Sequence, residues 1–364
     1  MTSFPHQIEP IPDEMMAVVT TGEGGYECLD YKSVPVPELR EGDVLLRVLA
    51  AGVNNTDINT RLGWYAREVT SATSAVDVKS VSTENTGGWA GATPFPLIQG
   101  TDACGIIVAS QNSEHHHLLG RRALIRACMR THGFTSLEMR WMASNFDGAF
   151  AGYVAVPASE IFPIECSWSD AELATIPCSY ATAETMLERA HCVSGSTLLV
   201  TGASGGVGSA AIQLAKRRGA HVIAITSPQK IPQIAEIGAD DVIDRNSDLK
   251  IALQDKAIDI IVDNVAGVQF ETLLKCLKPG GRYATSGAIA GPLVSLDMRD
   301  LYLNDITLIG STAWDEAVFP NLVRYIEAGE ISPILARTFA LKEIVDAQEF
   351  FSRKSHIGNV VLLP

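Results

Sequence analysis

A glycine-rich turn, Gly202-Ala203-Ser204-Gly205-Gly206-Val207-Gly208, joins the apolar run Thr197 to Thr201 to a helical pattern that contains Ile212 and Leu214. A turn of this composition does phosphate chemistry. Gly205 lets the backbone approach a pyrophosphate with no Cβ in the way, and Gly208 lets the following helix pack closely on its strand. The helix N-terminus presents free N–H groups and the positive end of a dipole to anionic oxygens. Gly219 closes the helix, and Val222 to Ile225 begins a second strand, so the segment is one strand–turn–helix–strand unit of βαβ size. Glycines alone mark an ordinary tight turn; between a strand and a helix they indicate a dinucleotide cradle, here Ser204, Gly205, Gly206, Val207 and Gly208.

Cofactor choice is read at the end of the second strand, where an acid would grip a ribose 2′-hydroxyl. The chain has Thr226-Ser227-Pro228-Gln229-Lys230 there, with no carboxylate. Ser227 can donate to a 2′-phosphate, Lys230 can neutralise part of its charge, and Arg245, after the run Asp241 to Asp244, adds a fork of donors. These residues favour NADPH over NADH. Asn264 and Val265, in the segment to Gly267, and Ser286-Gly287 follow later strands, at the carboxyl edge where cofactor loops collect.

The elements that must position these residues divide the chain in two. Residues 15 to 60 read as short strands, with Met16 to Val19 and Asp43 to Ala51 the clearest, and further β-like runs fall at Cys104 to Ala109, Arg122 to Arg126 and Tyr153 to Val156. Residues 64 to 94 are polar and weakly periodic, the character of a lid, binding loop or insertion. From Asp170 helices and strands alternate, with Ser169 as an N-cap, and strand-like runs at 198–201, 222–225, 241–244, 259–263, 282–285 and 306–309 predict a parallel sheet of about six strands. His115-His116-His117 cannot easily converge on one metal and reads as a solvated loop.

Length and composition bound the function. The 364 residues suffice for two domains, and 46% hydrophobic with 19% charged residues is ordinary for a globular protein. A net charge of -14 argues against nucleic acid or an anionic membrane as the main partner. The seven cysteines lack the paired spacing of a disulfide framework or a four-cysteine zinc lobe. The first residues, MTSFPHQIEPIPDEMM, carry no signal pattern, and no run approaches the roughly 18 apolar residues of a membrane helix. A cytoplasmic protein acting on a small molecule is expected.

The stretches AAGVNNTDINTRLGWY (50–65), FPLIQGTDACGIIV (95–108), DGAFAGYVAVPA (147–158), ATIPCSYATAE (174–184) and VTGASGGVGSAAIQLAK (200–216) resemble the medium-chain dehydrogenase/reductase superfamily over most of the chain. The resemblance implies an α/β protein: a β-rich, GroES-like catalytic domain over 1–168, completed by 313–364, and a Rossmann domain with a doubly wound parallel sheet over 169–312. Zinc enzymes of the superfamily carry Cys-His-Thr-Asp and Gly-His-Glu segments. Here the counterparts are Asn54-Asn55-Thr56-Asp57 and Gly100-Thr101-Asp102, and only Cys178 falls at a zinc-ligand position. Asparagine and threonine are poor zinc donors, and Asp102 with one thiol does not make a site. The region 109–150, with the single cysteine Cys128, offers no structural zinc site, so no metal is expected.

What remains is similar to the zinc-free quinone oxidoreductases and enoyl reductases, which share the Gly52 to Asp57 segment. That branch implies hydride transfer from NADPH to quinones or to the C=C bond of α,β-unsaturated carbonyl compounds. Residues 57–65 match its Asp-Ile-Asn-x-x-x-Gly-x-Tyr pattern and make Tyr65 the candidate donor to the enolate oxygen or a pocket-lining residue. Asn54 would orient the nicotinamide ribose or the substrate, and Thr182 would contact the nicotinamide. Asn359 stands where many relatives have a lysine, and Cys178 is a reactive thiol or a small core residue. Two further readings are a carbonyl or alcohol oxidoreductase without zinc and a non-catalytic NADPH-binding protein. The run Ile306 to Ile309 would be an exposed apolar edge, so a homodimer is expected, with Gly87, Gly88 and Gly91 in a lid.

Overall fold

The computed structural model describes residues 4–76, 91–254 and 257–364. Its spine is the strand Asp43–Val53, whose side chains are buried along most of its length. That strand pairs antiparallel with Cys104–Ser110, Tyr153–Pro157 and Asn359–Leu363. Chain order and sheet order therefore differ. The path runs Ile161–Pro163, Arg122–Ile125, Cys104–Ser110, Asp43–Val53, Asn359–Leu363 and Leu335–Ala340. The last strand of the chain lies beside Asp43–Val53. Ser169 caps the short helix Asp170–Leu173 through a reciprocal pair, Glu172 N to Ser169 Oγ (3.3 Å) and Ser169 N to Glu172 Oε2 (2.8 Å).

The second sheet has six strands, all parallel, in the order Asp241–Asp244, His221–Thr226, Thr197–Val200, Ile258–Asp263, Leu277–Thr285 and Thr307–Gly310. Its central strands are continuous apolar runs because helices cover both faces; Leu198, Leu199, Val200 and Ile261 have no exposed surface. The strand expected at 282–285 begins at Leu277, with a break in register between Ile258 and Ile260. Thr307–Gly310 is an edge, as the apolar run suggests, although Ile306 itself is buried. Strand order reverses between Thr197–Val200 and Ile258–Asp263, and their carboxyl ends open the crevice where ligands bind in such sheets.

The helix Pro177–Arg189 joins the two sheets. It packs on Gly206–Arg217 from one side and on Val318–Glu327 from the other. Glu184, buried within it, pairs with Arg218 at 2.7 Å. Among the described residues no helix is long and apolar enough to cross a membrane.

The glycine turn holds this arrangement together. Gly202 has φ +55°, a region glycine enters without strain. A Cβ on Gly208 would collide with the Gly202 carbonyl and lie 2.8 Å from Ala203 Cα. Gly208→Ala is accordingly expected to lower stability by about 1–3 kcal/mol, the range for overpacking a filled site, and to weaken dinucleotide binding. Thermal melts and ligand titration check this; an unchanged melting temperature would contradict the packing argument.

Candidate active site

A cleft of about 1010 Å³, counted with its open mouth, runs between the two sheets. One wall comes from the parallel sheet: Gly205, Gly206, Val207 and Gly208 of the glycine turn, then Asn264, Val265, Ser286 and Gly287. The other comes from Asn54, Tyr65, Cys178 and Thr182. Eleven of the fifteen residues nominated from sequence thus meet in one place, and Ser204, Ser227, Lys230 and Arg245 lie outside its lining.

The dinucleotide wall is rigid because a buried carboxylate organises it. Asp263 has no exposed surface and accepts from Thr201 Oγ1, from Val265 N (2.8 Å), from Ala266 N (3.0 Å) and from the Tyr283 hydroxyl. One side chain thereby fixes the ends of two adjacent strands and bends the backbone through Ala266, at φ +54°. Asn264 Oδ1 accepts from Ser286 N (3.0 Å) and Ser286 Oγ (2.7 Å), tying the next loop to the same turn. A Cβ on Gly205 would find only Gly202 O, at 3.5 Å, so this backbone faces open space as a phosphate cradle requires. The helix Gly206–Arg217 begins there, and the chemistry of this wall fits a bound dinucleotide.

Lys230 departs from the sequence reading. It is buried, and its ammonium donates to Ser204 Oγ (3.1 Å) and to the carbonyls of Lys354 (2.7 Å) and His356 (2.6 Å). It ties the glycine turn to the C-terminal segment, and all three donors are engaged. Ser204 likewise faces inward, its carbonyl accepting from Gly358 N at 2.9 Å. Ser227 is half-buried and Arg245 exposed, and the Arg245 N–H donates to Thr226 O at 2.8 Å. Asn359 is buried behind the turn, where its Oδ1 accepts from Ser179 Oγ (2.8 Å).

The opposite wall is built on the helix Asn55–Arg61, which Asn54 caps. The Asn54 N–H donates to Asp57 Oδ2 (2.8 Å), while its side-chain amide donates to Asp102 Oδ2 (2.8 Å) and Thr101 Oγ1 (3.3 Å). Asp102 Oδ1 also accepts from Cys178 N, at 2.6 Å, near the start of the helix Pro177–Arg189. Burial pushes the carboxyls of Asp57 and Asp102 up to about 7 against these hydrogen bonds. Burial, with Asp102 and Asp57 adding to it, drives the Cys178 thiol well above its ordinary range. That suppresses the thiolate and disfavours the reactive-thiol reading.

Tyr65 lies across the cleft from the glycine turn, its ring edge-on to Trp64 at 5.5 Å. Burial pushes its phenol up to about 12, while hydrogen bonds with the Thr56 and Asn59 side chains act the other way. The phenol therefore stays protonated near neutral pH, the state of a proton donor. The first part of the long loop is docked here: Trp64 Nε1 donates to Ser71 O (3.1 Å) and Thr73 N to Ile289 O (3.1 Å). Gly87 and Gly88 lie outside the described residues; Gly91 is described, at φ +102°.

The positions matched to zinc ligands carry an amide, a hydroxyl and a thiol, and the nearby carboxylate of Asp102 is engaged by Asn54 and Cys178. That donor set does not fit a catalytic zinc. Among the described residues no three His, Cys, Asp or Glu side chains group so as to hold a metal. Sequence reasoning missed Thr56, Asn59, Trp64, Ile289 and Thr312 in or beside the cleft. Thr312 and Ile289 had a signal, since each follows a parallel strand; the others depend on where the 54–65 turn folds.

Comparison with known proteins agrees with this fold. The family described as "Alcohol dehydrogenase GroES-like domain" matches residues 40–166, and "Zinc-binding dehydrogenase" matches 206–328. A solved structure of a putative alcohol dehydrogenase from Sinorhizobium meliloti is 42% identical, with a TM-score of 0.88 over 97% of this chain and 98% of that one. The acryloyl-coenzyme A reductase of Metallosphaera sedula is 28% identical over 96% of this chain and 99% of its own. The 2-methylene-furan-3-one reductase of Solanum lycopersicum is 28% identical over 97% of this chain and 80% of its own.

Proposed function

Given that the chain belongs to the medium-chain dehydrogenase/reductase superfamily and is an oxidoreductase, we propose that it uses NADPH, without zinc, to reduce the C=C bond of α,β-unsaturated carbonyl compounds or quinones. The observation that supports this reading is that Tyr65, a phenol that burial keeps protonated near neutral pH, lines one cleft with the glycine turn and with Asn54 and Cys178, two of the positions where zinc relatives have ligands. The relatives that reduce acryloyl-coenzyme A and 2-methylene-furan-3-one support the C=C substrate class.

Bound reduced nicotinamide supplies the hydride. The remaining work falls to the chain. Gly205 to Gly208 receive the pyrophosphate, and Thr182 and Asn54 hold the nicotinamide end. Hydride arriving at the β-carbon leaves negative charge on the substrate's carbonyl oxygen as an enolate. Tyr65 donates a hydrogen bond to that oxygen, lowering the barrier as an oxyanion donor does. Thr56 and Asn59 stabilise the phenol oxygen as its proton shifts toward substrate. The alcohol-dehydrogenase likeness keeps carbonyl reduction as the second reading.

Product analysis separates the two: a saturated ketone marks C=C reduction and an allylic alcohol marks carbonyl reduction. Tyr65→Phe is expected to lower enone turnover by ~10- to 1000-fold with little change in NADPH affinity and a smaller effect on quinones. Wild-type turnover in that variant would remove Tyr65 from the mechanism.

Cofactor choice rests on the missing carboxylate after His221–Thr226 and on Ser227 and the exposed Arg245. NADPH should bind at least ~10-fold tighter than NADH, about 1.4 kcal/mol, and Arg245→Ala should narrow the gap. Lys230→Ala should weaken both cofactors, since that ammonium holds the glycine turn in place. Equal affinities in calorimetry would overturn the preference. Elemental analysis of the same sample should give well under one zinc per chain.

The homodimer reading is supported by the uncovered edge Thr307–Gly310, where Leu308 is 40% exposed, and by Tyr302 and Leu303, exposed by 60% and 67%. Pairing two such edges across a two-fold axis would cover them. Light scattering should give twice the 39.0 kDa chain mass; a monomer at micromolar concentration would refute it.

A further inference from the structure

Asp102 sits deep in the wall opposite the glycine turn, 1% exposed, with no cation among the described residues bonded to it. A carboxylate in that setting is costly unless each oxygen finds donors. Among the described residues its donors are Cys178 N at 2.6 Å and Asn54 Nδ2 at 2.8 Å. Thr101 Oγ1, at 3.3 Å from the same Asn54 nitrogen, completes a pocket that accepts N–H. An amide has one donating and one accepting end, and an ionised carboxylate only accepts. Burial raises the Asp102 carboxyl to about 7, so above that pH it is ionised and only accepts; the Asn54 nitrogen then faces Asp102, and its oxygen is the end left for the cleft that Asn54 lines.

We infer that Asp102 is a positioning residue: it fixes the sense of the Asn54 amide so that an acceptor, and not a donor, meets the bound cofactor. This inference rests on the reading of Asn54 as a cofactor contact. The group it meets must carry O–H or N–H, as the nicotinamide carboxamide and ribose hydroxyls do. The same geometry withdraws Asn54 as an alternative donor to an enolate oxygen, because its N–H groups are already directed at Asp102 and Thr101.

The clamp makes a testable exchange. Asp102→Asn keeps an oxygen for Cys178 N but turns an NH2 toward Asn54, which must then rotate its own amide and show the cleft a donor. Asn54→Asp in the same chain restores an acceptor against that NH2 and returns an acceptor to the cleft. Equilibrium binding of the reduced cofactor, followed by its nicotinamide fluorescence without any acceptor substrate, reads the effect independently of which bond is reduced. Asp102→Asn should raise the dissociation constant about 10-fold, the scale of one hydrogen bond to a charged or well-ordered group. Asn54→Ala should do the same, and the two together should cost no more than either alone. The exchange pair should recover to within about 3-fold of wild type.

Asn54→Asp alone sets two carboxylates face to face and must bind more weakly than the exchange pair, which keeps the test open if Asp102→Asn folds poorly. Equal binding by the single and exchanged variants would overturn the inference. So would an Asp102→Asn penalty that persists undiminished beside Asn54→Ala, since Asp102 would then act through Cys178 or the helix and not through Asn54. A wild-type chain that binds neither nicotinamide cofactor would instead overturn the functional reading on which the clamp rests.

Discussion

The backbone of the glycine turn has to satisfy two sheets at once. On its own side, Gly208 brings the helix Gly206–Arg217 against Gly202 and Ala203, too close for any side chain. On the far side, Gly205 bridges to Gly358, and Gly358 N donates to Ser204 O at 2.9 Å. Gly358 has φ +80°, and a Cβ there would collide with Ile334. Lys230 reinforces the seam by reaching from the parallel sheet to the carbonyls of Lys354 and His356. A phosphate cradle welded in this way to the other sheet cannot drift from the residues that face it.

Among the described residues, three buried acids have no cation bonded to them. Asp263 orders the cofactor wall, Asp57 receives the N–H of Asn54 and that of Gly100 (3.3 Å), and Asp102 holds Asn54 and Cys178. Each is stabilised by several N–H or O–H donors converging on a small volume, which is how a buried carboxylate becomes tolerable. For Asp57 and Asp102 the compensation is incomplete, and both carboxyls rise to about 7. The positions that hold metal ligands in zinc relatives are occupied by a hydrogen-bonded cluster of amide, hydroxyl, thiol and carboxylate. Such a cluster fixes the directions of donors and acceptors that face the cleft.

That difference bears on the reaction. Reduction of an isolated carbonyl needs strong polarisation of its oxygen, whereas conjugate addition spreads charge onto an oxygen that one good donor can stabilise. Tyr65, kept protonated by burial and in contact with Thr56 and Asn59, is suited to the second task. The docking of Thr73 on Ile289 brings the start of the long loop over the same cleft, so the loop contributes to the shape a substrate meets.

Much of this was legible in the sequence. The strand–glycine–helix unit, the six parallel strands and the Ser169 cap follow from local patterns of period, turn residues and capping, which neighbours in sequence suffice to express. The strand at 282–285 was read too short because Pro279 and two glycines disguise its beginning, and pairing with Ile258 restores it. Eleven of the nominated site residues line one cleft, and those from the parallel sheet do so because strand ends and helix starts in such sheets share one edge. The tertiary structure alone decided how Lys230 is used. In sequence it is a charge after a strand; in space three oxygen atoms, two of them more than a hundred residues away, surround it. It decided likewise that Asp102 faces Asn54 and Cys178, and that Asn59 and Thr56 meet Tyr65. A sequence states which donors and acceptors exist. Only the folded backbone, by removing water and fixing their directions, determines which of them must bond to one another.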